Sequence, residues 1–441
     1  MIRRRTLTAA VIAAGLALAS GLPAQEKMTL QQFIDEAVRN SASVQIAGEA
    51  VAGAGFKVRE AKSQSLPQVS VASTYTRISL VNEFTIPGMG QFKFGTENNL
   101  GFRAAASEQI FTWGRIKSSV EMTKVGVSMA ENGVALTKQM LAYQVVPMFY
   151  GVLFTQEAVK VVDQTLARLR QKVAILEERY LAGLASDFDI SLLKVQASGL
   201  EAQRLDFLNN VRKVFMAYNR IAGRPLDSVF VLDGDINVEA VRTVEELQSE
   251  VKALVQEAAA NRLEARQVDD QRRLAQSQIS LARSGDKPNL SASFLFEARN
   301  GFIPNADRVK GFWSALLNVS YPIFDGRRSK AQVAQSEVAL RTADEQAADL
   351  ERGFALEINQ TLADLNALEQ KIEIEKGKIA HAERALQIAD ERHQNGLIST
   401  TDLVDAQDSL DSARLNYLQL RYNYVLGRFN LLRAVGRKIH S

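Results

Sequence analysis

Two periodicities alternate along the chain. Val159, Val162, Leu166, Leu169, Val173, Leu176 and Tyr180 recur at spacings of 3 and 4, the seam of a heptad helix packing on one partner. Beyond a glycine turn the seam resumes with Ile190, Leu193, Ala197, Leu200, Arg204, Phe207 and Val211. Both runs return as Ile372, Glu375, Ile379, Ala382, Leu386, Ala389 and His393, then Leu403, Ala406, Leu410, Ala413, Tyr417, Leu420 and Tyr424. Such seams predict two left-handed antiparallel helical hairpins, and the polar interruptions Arg204, Glu375 and His393 predict incomplete burial. Elsewhere the period falls to two. Leu290, Ala292, Phe294, Phe296 and Ala298 alternate with Ser291, Ser293 and Glu297. Trp313, Ala315, Leu317, Val319, Tyr321 and Ile323 alternate with Ser314, Asn318 and Ser320, and Leu100, Phe102, Ala104 and Ala106 with Arg103, Ser107 and Gln109. The run 69–81 is weaker, its apolar parity changing near Tyr75. These are strands with one apolar and one polar face. A half-buried sheet in a soluble domain fits the pattern. So does a transmembrane barrel wall, apolar to lipid and polar to a water-filled lumen, with Trp313 and Tyr321 near the interfaces. Four strands cannot close a barrel and lipid tolerates no open edge, so the second reading requires several chains to share one sheet.

The hairpins and strands belong to a duplication. Shifted by 213 positions, "ERYLAGL" (178–184) meets "ERHQNGL" (391–397), "RIAGR" (220–224) meets "RAVGR" (433–437), and Phe111 meets Phe324. Upstream the shift is 221, where "EAVRN" (36–40) meets "EAAAN" (257–261) and Pro67 meets Pro288. The difference must be absorbed between Pro67 and Phe111, in a loop. The chain thus reads as a first repeat over 25–222 (strands 67–84 and 99–111, hairpin tip 181–188), a linker over 223–243, and a second repeat over 244–441 (strands 289–298 and 312–324, tip 394–401). Each repeat is helix, strand, strand, helix, helix. Gly183 and Gly396 supply left-handed backbone at the tips, while Ser186 or Asp187, and Ser399 to Thr401, suit helix caps. No proline interrupts Gly326 to His393, which at about 1.5 Å per residue gives a helix of roughly 100 Å. Pro147 predicts a kink or break in the matching stretch, Gly114 to Tyr180.

Composition sets the compartment. Arg3, Arg4 and Arg5 precede the short apolar run "LTAAVIAAGLALA" and small residues, the form of a secretory signal peptide over 1–24, cut after Ala24 or Ala19, with an N-terminal anchor as the alternative. Its removal takes three arginines from a formal charge of +3, so basicity points to no nucleic-acid partner. The chain has no cysteine, which excludes disulfides, thiolate metal sites and a lipidated N-terminal cysteine. No later stretch reads as a transmembrane helix.

The duplicated plan, the strand starts at Pro67 and Pro288, "IFTWGR" and "PIFDGRR" at strand-to-helix junctions, and the tip "GLISTTDLVDAQ" together resemble the TolC family of outer-membrane efflux proteins. The likeness covers essentially the whole mature chain. It implies a mainly α fold with a membrane β-barrel: a homotrimer in which each chain gives four strands to a twelve-stranded barrel, continued into the periplasm by the helices. It implies a passive exit duct for an inner-membrane pump, joined through a periplasmic adaptor. The resemblance places the gate in the second hairpin, at Asp402 and Asp405. These share a helix face, so three chains would crowd six carboxylates that attract cations and perturb one another's protonation. The first repeat has Asp189 and Leu192 at these positions. The plain alternative makes Asp402 a helix-start acid and Asp405 a solvated one. Where better-known members carry a latching Arg and Tyr, this chain has Ile398 and His393. A latch through His393 and Asp189 is therefore an expectation, beside a simply solvated His393. Adaptor contact falls to Gly183, Leu184, Gly396 and Leu397, whose plain role is turn geometry.

Enzymatic chemistry is not indicated. His381, His393 and His440 have no histidine partner at helical spacing, and Asp402 and Asp405 have no third metal ligand nearby in sequence. No cofactor or metal is expected. The glycine-rich stretch 88–95 lies between strands and reads as an exposed loop. Two other classes stay open: a periplasmic adaptor, which ordinarily carries one hairpin, and a secreted coiled-coil scaffold.

Overall fold

The computed structural model describes residues 27–88, 90–93, 95–236, 244–302 and 307–439. The expected signal peptide, part of the linker and His440 lie outside them. The chain divides into two units, one comprising 1–45, 135–262 and 351–441, the other 46–134 and 263–350.

The elements are β1 (Lys27–Thr29), α1 (Leu30–Asn40), α2 (Ala42–Ser63), β2 (Gln68–Arg77), β3 (Glu83–Ile86), β4 (Gly90–Lys93), β5 (Asn98–Phe111), α3 (Arg115–Leu181) and α4 (Asp187–Ala222) in the first half. Then follow β6 (Val231–Asp233), α5 (Val244–Ser249), α6 (Val251–Asn261), α7 (Leu263–Arg283), β7 (Asn289–Arg299), β8 (Lys310–Ser320), α8 (Arg328–Gln394) and α9 (Thr400–Val435). Equivalent helices match closely in length, though α2 has 22 residues and α7 has 21. Helices α3 and α8 have 67 residues each, α4 and α9 have 36, and α1 and α6 have 11.

In the first unit the heptad positions do what their spacing asks. Leu169, Leu176, Ile190 and Leu193 form one buried cluster with Val173, Ala197 and Leu200. Leu386, Ala389, Leu403 and Leu410 form its counterpart with Ile379, Ala382 and Ala406. The polar interruptions are paired: Arg204 Nε donates to Asp163 at 2.6 Å, and Lys378 Nζ lies 3.0 Å from Glu375. An ion pair bridging each hairpin occupies equivalent sites with its charges exchanged, Arg170–Glu201 at 2.8 Å in the first and Glu383–Arg414 at 2.8 Å in the second. A larger core surrounds Phe33, Phe149, Tyr218 and Phe230. Tyr218 is fully buried and its hydroxyl donates to the Phe33 carbonyl at 3.0 Å. The linker is not merely irregular: β6 pairs in parallel with β1 at the edge of this core.

The sequence predicts a kink or break at Pro147; α3 is not broken there but runs continuously through Pro147. Proline costs a helix interior about 3 kcal/mol. Val145, Val146, Phe149, Val152 and Leu153 around it are all buried, and each such side chain contributes about 1.5–3 kcal/mol, so packing overrides the local penalty. The same apolarity qualifies the expectation that no later stretch could cross a membrane. Against that expectation, one window of α3 is long and apolar enough to cross a membrane by length and composition, and half of it is buried within the protein.

The second unit carries a four-stranded antiparallel sheet in the order β2-β5-β7-β8. Strand β2 ends at Arg77, short of the expected 84, so the parity change near Tyr75 falls away: Val69, Val71 and Tyr75 share one face, opposite Ala106, Ala104 and Leu100. Strand β8 runs from Lys310 to Ser320, not to Phe324, because Pro322 cannot donate to a ladder. The extra length of the first repeat is a small hairpin, β3–β4, which takes up part of the stretch expected to be loop. At the other end of the unit, Asp270 is buried and accepts from Ser128 at 2.9 Å and Asn132 at 2.6 Å, clamping α7 to α3.

Candidate functional site

Each hairpin tip is built by its backbone. Helix α3 ends in a Schellman cap: Leu184 N–H donates to the Arg179 carbonyl at 2.8 Å and Gly183 N–H to Tyr180 at 2.9 Å, with Gly183 at φ 71°. Helix α8 ends identically, Leu397 to Arg392 at 2.9 Å and Gly396 to His393 at 3.0 Å, with Gly396 at φ 70°. The tip leucines project outward, Leu184 78% and Leu397 72% exposed. Nothing lies within 4 Å of a Cβ added to either glycine. Alanine there costs only left-handed strain, about 1–2 kcal/mol per site, so the glycines are demanded by the turn and not by crowding.

The returning helices start differently, and this sorts the acidic residues. Ser399 and Asp402 form a reciprocal capping box: Asp402 N–H donates to Ser399 Oγ at 3.2 Å, and Asp402 Oδ2 accepts from Ser399 N–H at 3.0 Å and Oγ at 2.7 Å. These bonds, the hydroxyl's foremost, hold the Asp402 carboxyl below its usual range. In the first hairpin Ser186 caps Phe188 N–H at 3.1 Å and Asp189 takes no part in a box. Asp402 and Asp405 are both exposed on α9. Between them Leu403 packs within its own hairpin and Val404 packs against the first, so the two carboxylates occupy the solvent side of this turn.

His393 Nε2 lies 3.1 Å from Thr400 Oγ1, in its own hairpin. Burial, and next the charge of Lys172, push its pKa down; Asp189 and Asp390 pull it up and Arg179 opposes them. Asp189 and His393 therefore interact across the hairpins, but the net environment favours neutral imidazole.

The direct ties between the hairpins are residues the sequence reading did not single out. Lys172 Nζ pairs with Asp390 at 2.5 Å, and Gln196 Nε2 donates to Asp408 at 2.6 Å. Thr165 Oγ1 donates to the buried Asp411 at 2.9 Å, and Gln407 Nε2 donates to its other oxygen at 2.9 Å. Arg168 stands 3.8 Å from Asp411 and donates to Thr165 Oγ1 at 3.0 Å. A signal was present: Asp405, Asp408 and Asp411 recur every third residue, where the first repeat has Leu192, Val195 and Ser198. Asp408 borders a cleft of about 340 Å³ between α3, α4 and α9. Burial foremost, then Asp411 and Asp405, push its pKa up. A raised carboxyl pKa gives stability that is present in acid and lost as pH rises through the folded value. Asp408→Asn is expected to stabilise the protein at pH 7 by less than about 1 kcal/mol, since solvent reaches one side, and to flatten the gain in melting temperature on acidification. An unchanged pH slope in the variant would contradict this assignment.

The sequence profile of the family described as outer membrane efflux protein matches residues 33–222 and 254–437, and the chain belongs to that family. It is similar to the outer membrane protein TolC of Vibrio cholerae, 24% identical over 332 residues covering 72% of each chain. Among solved structures it is similar to CusC, with a TM-score of 0.74 at 17% identity over 92% of each chain. It is also similar to the outer membrane protein VceC from Vibrio cholerae, with a TM-score of 0.73 at 19% identity over 93% of this chain and 97% of that one. The protein is thus an efflux duct of the bacterial outer membrane, and the relatives are channels, not enzymes.

Proposed function

We propose that three copies of this chain close one twelve-stranded barrel in the outer membrane, and that the assembly is the passive exit duct of a tripartite efflux or type I secretion system. One observation carries the reading. Among the described residues the sheet ends at two unpaired edges, β2 and β8, while Val69, Val71, Trp313, Leu317 and Val319 on its apolar face are exposed. Lipid accepts that face but neither edge, and another copy supplies the matching edge. Extraction from outer membranes is expected to need detergent and to yield a homotrimer by native mass measurement. Recovery of a soluble periplasmic monomer would return the chain to the adaptor or scaffold class.

In this assembly the second hairpin gates the periplasmic entrance. Asp402 and Asp405 present six carboxylates to the axis, Asp189 and His393 act with the Lys172–Asp390 and Asp411 ties as the latch, and the tips Gly183, Leu184, Gly396 and Leu397 meet a periplasmic adaptor that leads to an inner-membrane pump. Asp402→Asn with Asp405→Asn is expected to lower cation preference and cation block in planar-bilayer recordings; asparagine keeps acceptors for the capping box, so the fold is spared. Unchanged selectivity would leave Asp402 a helix cap and Asp405 a solvated acid. Gly183→Trp with Gly396→Trp is expected to abolish capture of the adaptor by cross-linking while trimers still form, and normal capture would remove the tips from the interface.

A further inference from the structure

Charge on the polar face of the sheet is confined to one end. Register puts Ser70, Ala105, Leu295 and Ser314 side by side on that face. Along its paired positions only Arg103, Glu297, Arg299 and Lys310 are charged. All four lie toward the strand ends farthest from the helices, because β5 leaves for α3 at Phe111 and β7 enters from α7 at Asn289, whereas Arg299 ends β7 and Lys310 begins β8.

The four groups do not neutralise one another. Glu297 is shared, with one oxygen 3.3 Å from Arg103 and the other 3.2 Å from Arg299. Arg299 and Lys310 stand directly opposite in the ladder, a like-charge placement that costs a sheet stability. Both face the ring of Phe302, at 5.1 and 5.8 Å, and Phe302 meets Phe312 edge-on at 6.0 Å. Each chain therefore carries two net positive charges on this wall, partly held by aromatic faces. The segments beyond add Glu83, Lys93, Glu97, Asp307 and Arg308, a net single negative charge that leaves each chain positive at this end.

Resting on the trimeric barrel reading, we propose that Arg103, Arg299 and Lys310 form a basic ring inside the outer part of the lumen that concentrates anions and favours passage of anionic solutes. Rings of charged side chains set ion preference in pores, and in about 0.01 M salt the screening length of about 30 Å spans such a lumen.

The test is single-channel recording of the full-length trimer in a KCl gradient at low salt. Lys310→Gln and Lys310→Glu are expected to lower the chloride-to-potassium permeability ratio stepwise, the latter about twofold, and Glu297→Gln to raise it. Both shifts are expected to vanish at about 1 M KCl, where screening shortens to about 3 Å. Lys310→Glu places a carboxylate opposite Arg299 and so suits the ladder, and Arg103→Gln supplies a second neutralised site on another strand. A ratio unmoved by all four variants, while Asp402→Asn with Asp405→Asn still shifts it, would overturn the ring and leave the duct standing. Absence of any channel from the unaltered protein would remove both.

Discussion

Leu317→Arg is expected to abolish the outer-membrane trimer, while Asn318→Arg on the adjacent residue leaves it intact. Leu317 sits in β8 opposite Ala292, on the face it shares with Phe294 and Trp313; Asn318 sits opposite Ser291, on the other. A lipid-facing Arg costs up to about 2–4 kcal/mol per chain, least near the interfaces, and a lumen-facing one costs little; Glu108, in the same row as Leu317, adds a charge to that end of the face. Closure multiplies the cost by three, which exceeds what assembly at modest concentration tolerates. The check is heat-modifiable gel mobility and membrane yield of both variants. If they behaved alike, neither face would be meeting hydrocarbon, and a soluble sheet would describe the molecule better.

Asp411→Ala is expected to loosen the second hairpin from the first. The substitution deletes the acceptor of two hydrogen bonds, from Thr165 and Gln407. It also leaves the nearby Arg168, whose Nε has no partner among the described residues, without its carboxylate. Loss of charged, buried hydrogen bonds of this kind costs about 2–3 kcal/mol, a shift of roughly 30- to 150-fold in the balance between docked and released hairpin. The readout is open probability in bilayers together with cellular entry of a large antibiotic. Thr165→Val, which spares the carboxylate, is expected to give a smaller rise. A closed channel in Asp411→Ala would place the latch elsewhere, with Lys172–Asp390 the next pair to break.

The helical half of the fold was legible because its signals are local and repeated. Heptad spacing fixed the seams, Gly183 and Gly396 fixed the turns, and the shift of 213 aligned α3 with α8 and α4 with α9. The misjudged elements depend on partners distant in sequence. A break at Pro147 is expected from proline's local cost, while the burial that keeps α3 continuous comes from α1, α4 and the linker. Strand β6 was missed because three residues carry no period, and only β1 makes them a strand. The candidate site divides the same way. The tips could be placed by turn chemistry, and Asp402 and Asp405 by family resemblance. The capping box that occupies Asp402 needed geometry, as did the ties at Lys172, Asp390 and Asp411, which join helices more than two hundred residues apart.

The protein's lack of cysteine opens a direct test of the shared barrel. Strands β2 and β8 are the opposite edges of a four-stranded sheet, so about 14 Å separates them within one chain at roughly 4.8 Å per strand. A disulfide needs Cα atoms about 4.4–6.8 Å apart, and none can form between β2 and β8 of the same chain. Single cysteines placed along β2 at Val69, Val71 and Ser73, each paired with one along β8 at Ala315, Leu317 and Val319, scan the possible registers. The account predicts that at least one pair, oxidised in intact outer membranes, yields a covalent ring of three chains in denaturing gels. Monomers with free thiols at every register would contradict it.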